Sequence, residues 1–133
     1  MGDVDTTGRR GVRGLVAYWL PPLAWMAAIF YLSGQPDLPG PPEPLLDTLL
    51  KKGGHFVGYA VLAFLWWRAL SRGRMTRRAA LGTAFAITAA YAITDEFHQS
   101  FVPGRGPSPR DVLIDAAAAA AALGVIWWRD TQR

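Results

Sequence analysis

Charge along this chain is segregated. Leu15 to Leu32 holds no Asp, Glu, Lys or Arg, and a helix rising ~1.5 Å per residue over that stretch crosses most of a ~30 Å hydrocarbon layer. Three later stretches repeat the pattern: Gly53–Trp67, Ala79–Thr94, and Pro109–Trp128 once its first two turns are passed. A soluble four-helix bundle needs a polar face on every helix. Residues 79–91 offer only Thr and Tyr for such a face, and Ala116 to Ala122 are seven consecutive alanines. The expected fold is therefore all-α, a polytopic transmembrane bundle of about four helices.

The punctuation between these runs sets the boundaries. Residues 1–14, polar and Gly-rich with Arg9, Arg10 and Arg13, are expected to be a flexible basic tail. Residues 15–128 form the transmembrane domain and 129–133 a C-terminal tail. Pro21 and Pro22 should bend the first span, which neighbouring helices can accommodate. No small-x-small site follows Phe30-Tyr31-Leu32, so the first span is expected to remain uncleaved. Ser33–Pro44 reads as a loop. Pro44–Lys52, with Leu45, Leu46, Leu49 and Leu50 to one side, reads as a short interfacial helix leading into the second span. Arg68 ends that span and can extend outward. The third helix should continue past Thr94 through Gln99. A Pro103-Gly104 turn follows. Ser108 suits an N-cap, Pro109 the first helical position, and Asp111 falls three residues after the cap.

Lys and Arg number 14 against 10 Asp and Glu, a formal net charge of +4. These cations flank apolar runs, so they report topology and imply no nucleic-acid partner. The N-terminal tail, the 71–78 loop with four arginines, and Arg129 and Arg133 fall on one side, which the positive-inside bias makes cytoplasmic. Trp66, Trp67, Trp127 and Trp128 lie at the same ends, as interfacial aromatics do. Lys51, Lys52, Arg105 and Arg110 stand on the opposite side and call for another explanation. The chain has no cysteine, which excludes disulfides and thiolate metal ligands.

Three polar sets gather at that opposite end. Lys52, His55 and Tyr59 lie within about 60° of arc at ~100° per residue. Asp95, His98 and Gln99 share a face, with Glu96 at its edge and Tyr91 a turn inside. Arg105, Arg110, Asp111 and Asp115 belong to the last loop and helix. Asp115 lies a turn inside the span, where an ionised group is costly and should find a partner. Each residue alone has an ordinary use as anchor, interhelical hydrogen bond, packing or helix-end charge. Together they should form either a network that locks the bundle or a site for a polar or anionic ligand, with arginines pairing to carboxylates. The small residues of the fourth span, and Gly53, Gly54 and Gly58 in the second, should let helices approach closely.

Two segments carry a family resemblance. Lys52-Gly53-Gly54-His55-Phe56-Val57-Gly58-Tyr59-Ala60-Val61-Leu62 resembles the K-x-x-H-x-x-x-Y-x-x-L segment of VanZ-like bacterial membrane proteins. Asp95-Glu96-Phe97-His98-Gln99-Ser100-Phe101-Val102-Pro103-Gly104-Arg105 resembles their D-E-x-x-Q-x-F-x-P-G-R segment, and Ser108–Asp111 their following S-x-x-D. The resemblance covers roughly residues 15–128. It implies a fold of several transmembrane helices and carries over Lys52, His55, Tyr59, Asp95, Glu96, Gln99, Arg105 and Asp111 as functional residues. This chain departs from the family where Asp115 replaces a frequent Asn and Ala119 a frequent Gly. The resemblance also implies the bacterial cytoplasmic membrane, and a link to glycopeptide resistance of the teicoplanin type.

Three functions stay open on the residues. In the first, the ligand set above, with Arg110 and Asp115 added, binds an anionic lipid head group, a lipid-linked cell-envelope precursor or a glycopeptide. In the second, the chain is a membrane-embedded hydrolase or transferase with His55, Asp95, Glu96 or His98 in acid-base roles, or with a His/carboxylate divalent metal. No cofactor is expected, and no motif assigns a metal or a serine nucleophile. In the third, the chain is a structural or assembly subunit.

Overall fold

The computed structural model describes the backbone of residues 4–36 and 40–133, and side chains from residue 11 onward within the first helix. The described residues form four helices: α1 Val4–Ser33, α2 Pro44–Leu70, α3 Arg77–Gln99 and α4 Pro109–Thr131. Contacts between them fix alternating directions. Ala17 meets Arg68 and Trp25 meets Gly58, so α1 and α2 run antiparallel. Tyr59 meets Asp95, Arg77 meets Ile126 and Trp127, and His55 meets Asp115. All four helices thus share two ends, one holding Ser33, His55, Gln99 and Asp111, the other Ala17, Arg68, Arg77 and Trp127.

Two helices, over Gly11–Ser33 and Pro109–Thr131, are long and apolar enough to cross a membrane. Only 6% and 22% of their most apolar stretches are buried within the chain. Neither is therefore the enclosed core helix of a soluble fold. Large apolar side chains such as Leu20, Leu23, Phe64, Ile93 and Leu113 point outward around the bundle, far more than scattered surface apolar residues explain.

The core is built from small residues on α3 and α4 against larger ones on α2. Tyr59, Leu62, Ala63 and Trp66 pack on Ala84, Ala92, Ala118, Ala119 and Leu123. With alanine methyl groups on two of the three helices, Leu123 of α4 apart, the backbones approach closely. The glycines of α2 do not take part: a Cβ at Gly53, Gly54 or Gly58 would meet nothing within 4 Å. The expected close approach through these glycines is replaced by open space beside α2.

Three local expectations change. The first helix begins at Val4, not at Leu15, because no proline interrupts residues 4–14 and glycine only weakens a helix; residues 1–3 of the expected tail lie outside the described residues. Pro21 and Pro22 both lie inside this helix. Pro44–Lys52 is not a separate interfacial helix but the first turns of α2, which runs unbroken through Gly53-Gly54 while its leucines stay exposed. Trp66 is a core residue, 8% exposed and set edge-on to Trp19 at 6.0 Å, not an interfacial one.

Residues 37–39 of the expected 33–44 loop lie outside the described residues. The Pro103-Gly104 turn is present, with Gly104 at φ 81, a left-handed conformation that glycine adopts without strain.

The arginine-rich end is tied by aromatic and ionic contacts. Arg68 and Arg72 lie over the Tyr18 ring at 4.2 and 4.1 Å. Arg77 pairs with Asp130 at 2.6 Å and covers Trp127. Thr76 caps α3 by accepting from the Ala79 N–H.

Candidate functional site

The polar residues at the other end form a buried node and an open cleft, and the node's donors Ser33, Tyr59 and Gln99 also line the cleft. Asp95 is the node. It is 2% exposed, and its Oδ2 accepts from Ser33 Oγ at 2.9 Å, Tyr59 OH at 3.0 Å and Gln99 Nε2 at 3.2 Å. Three helices therefore converge on one oxygen. Gln99 reaches it because it stands one turn beyond Asp95 on the same helical face. Ser33 reaches it because α1 ends at that level. Tyr91, one turn inside, donates to the Met26 carbonyl and adds a second tie between α3 and α1.

Glu96 sits past Thr94, where the apolar run of α3 ends. Its carboxylate accepts the backbone N–H of Ser108 and so fixes the start of α4. Burial raises the Glu96 carboxyl above its ordinary range, opposed by the Ser108 N–H. Ser108 takes the N-cap position and Pro109 follows, but the Ser108 side chain makes no capping bond. The cap expected from the sequence is thus replaced by a tie from α3.

The cleft lies between α1, α2 and α4 and has a volume of about 730 Å³. Trp25, Ala28, Ile29 and Leu32 of α1 and Val57 of α2 give it an apolar wall. Lys52, His55, Arg105, Asp111 and Asp115 line its polar end, and Gly54 and Gly58 supply the open floor on α2. Asp115 is 2% exposed; its Oδ2 faces His55 Nδ1 at 3.4 Å, a long contact for a hydrogen bond. Lys52 Nζ stands 3.8 Å from Asp111 Oδ1, an ion pair without a hydrogen bond. One oxygen each of Asp95, Asp111 and Asp115 is buried with no hydrogen-bond partner among the described residues.

Several expected residues behave differently. Neither Arg105 nor Arg110 pairs with a carboxylate among the described residues. Arg105 lines the cleft, whereas Arg110 points to the exposed surface outside it. Neutral donors bind Asp95 Oδ2 and Glu96 instead, which spares the desolvation of a second charge. His98 leaves the site, stacking on Phe30 at 4.0 Å between ring centroids. The two histidines therefore do not converge, and no group of three His, Asp or Glu among the described residues can hold a metal ion. Ser33, read as loop, proves to be a node residue. Its only signal in the sequence is a hydroxyl at the close of an apolar run.

The chemistry open to this arrangement is limited by where the hydroxyls point. Ser33 and Tyr59 donate to Asp95, and Thr48 donates to the Pro44 carbonyl. None is held by His55. The His55–Asp115 pair can accept a proton, and the apolar wall beside charged groups suits a ligand with both characters.

Comparison with known proteins yields a match to the VanZ/LLP1 family over residues 10–130. No curated protein and no solved structure matches the chain.

Proposed function

The chain belongs to the VanZ/LLP1 family, and from that premise we propose that it is a multi-pass protein of the bacterial cytoplasmic membrane that holds a phosphate-bearing lipid head group, or that of a lipid-linked cell-envelope precursor. The arginine-rich end and both termini lie in the cytoplasm, and the cleft opens at the outer face. The two long apolar helices, the outward-facing apolar side chains and the arginines stacked on Tyr18 and Trp127 support this placement. A role in teicoplanin-type glycopeptide resistance would act through capture of such a precursor.

The observation that carries the reading is the cleft's two-sided lining. Acyl or polyprenyl chain lies along Trp25, Ile29, Leu32 and Val57, while Lys52 and Arg105 meet the phosphate. Arg105 stands half-buried at the cleft with no carboxylate partner among the described residues. The test is phospholipid retained by detergent-purified protein, measured by mass spectrometry. Arg105→Ala and Lys52→Ala should each lower retention several-fold with an unchanged unfolding midpoint; retention equal to the parent protein in both variants rejects the site.

The His55–Asp115 pair favours a second reading, a hydrolase or transferase with His55 as general base on a lipid-linked substrate. It predicts a mass change in a bound precursor that His55→Gln abolishes. An intact precursor recovered from the active parent protein rejects it.

A further inference from the structure

We infer that the head group taken by this cleft carries a cationic N–H donor beside its phosphate, so that the site selects a zwitterionic amino-phospholipid over a purely anionic one; this rests on the cleft being a lipid site, as proposed above. With the His55 imidazole neutral, the charge lining the cleft is balanced. Lys51, Lys52 and Arg105 stand against Asp47, Asp111 and Asp115. One cation and one carboxylate are already spent on each other, because Lys51 Nζ binds Asp47 Oδ2 at 2.7 Å within one turn of α2. Lys52 stands 3.8 Å from Asp111 and His55 3.4 Å from Asp115, contacts too long to give either carboxylate a good hydrogen bond, while Arg105 has no carboxylate partner among the described residues.

Those carboxylates are also short of donors. Asp115 is only 2% exposed, its Oδ2 has only the 3.4 Å contact with His55, and its Oδ1 has no hydrogen-bond partner among the described residues. Asp111 Oδ1 is buried with Lys52 at 3.8 Å, beyond hydrogen-bond reach. A buried carboxylate oxygen without a donor is costly, and a charge-assisted N–H bond offsets that cost. A primary ammonium brings three donors and a full positive charge; a hydroxyl brings one donor and no charge. Asp111 and Asp115 are one turn apart on one face of α4, at ~1.5 Å rise per residue, so one ammonium can address both. Arg105 then remains for the phosphate.

The test uses the full chain in detergent, incubated with equal amounts of phosphatidylethanolamine, phosphatidylglycerol and phosphatidylcholine. These share the phosphodiester and differ in offering N–H, O–H or no donor at the head. Retained lipid is counted by mass spectrometry and folding is checked by the unfolding midpoint. The expected preference for phosphatidylethanolamine is about tenfold, the scale of one charge-assisted hydrogen bond. Asp115→Asn and Asp111→Asn should each reduce it several-fold while total phospholipid stays bound. Should Asp115→Asn fail to fold, the half-exposed Asp111→Asn decides the matter. Phosphatidylglycerol held as well as phosphatidylethanolamine, or a preference untouched by the folded Asn variants, overturns this inference and leaves the lipid site standing. Retention of none of the three lipids overturns the site itself.

Discussion

His55 and Asp115 meet across the α2–α4 interface, imidazole Nδ1 to carboxylate Oδ2 at 3.4 Å, and the imidazole ring lies nearly parallel to that of Tyr59 at 6.1 Å. Tyr59 in turn donates to Asp95. This stripe down α2 joins the open cleft to the closed node beneath it. Each residue is one turn or so from the next, so a single helical face serves both.

Removing the imidazole should expose that coupling. His55→Ala leaves a buried carboxylate alone and should cost roughly 3 kcal/mol of stability. Asp115→Asn removes the charge that made the loss expensive, so the double variant should lose clearly less than the two singles combined. Thermal unfolding of the four proteins in detergent measures this; strict additivity would show that the pair does not interact.

Gly54 separates site from scaffold. A side chain there enters open space at the cleft and replaces glycine inside a helix. Gly54→Leu should therefore hold or raise stability, by about 0.5–1 kcal/mol, while phospholipid retention falls steeply. A stable variant with full retention would mean that the cleft is not where lipid sits.

The Asp95 node, itself buried beneath the cleft, should act chiefly on stability. Asp95→Ala leaves Ser33, Tyr59 and Gln99 without their acceptor and should cost several kcal/mol, while Ser33→Ala, which removes one donor, should cost about 1 kcal/mol. Unfolding midpoints give the ranking. Equal losses in the two variants would contradict the convergence on one oxygen.

The absence of cysteine makes the topology directly testable. Single cysteines at Arg74 and Pro103 occupy connections at opposite ends of the bundle. In intact cells a membrane-impermeant thiol reagent should label Pro103→Cys and spare Arg74→Cys. The reverse pattern would invert the orientation, and labelling of both would refute a four-span arrangement.

Much of this architecture was legible because it follows from periodicity and alternation. Segregated charge marks four helical runs, and alternating directions bring Lys52, Asp95 and Asp111 to one end whatever the packing. The partners at that end were not legible. Ser33 and Asp95 are 62 positions apart, and no local pattern announces their meeting. Arg105 and Arg110 looked like natural counterions for the carboxylates, yet side-chain direction on the loop and on α4 keeps them from pairing. Gly53, Gly54 and Gly58 have the composition of a tight helix contact; only the position of α1 shows that Gly54 and Gly58 border a cleft. The start of α1 and the unbroken run of α2 through Gly53-Gly54 were missed for a simpler reason, since glycine weakens a helix without ending one.

The first helix is anchored at Ala17, Trp25, Met26 and Ser33, at levels spread over ~24 Å of its axis at ~1.5 Å per residue. Its apolar faces would slide past neighbours with little penalty, but these four attachments permit one register. A single inserted residue between Ala17 and Trp25 would turn one half of the helix ~100° against the other. Either Arg68 or the three attachments beyond it would then lose their partners. This helix should therefore tolerate exchange of one apolar side chain for another far more readily than any change in its length.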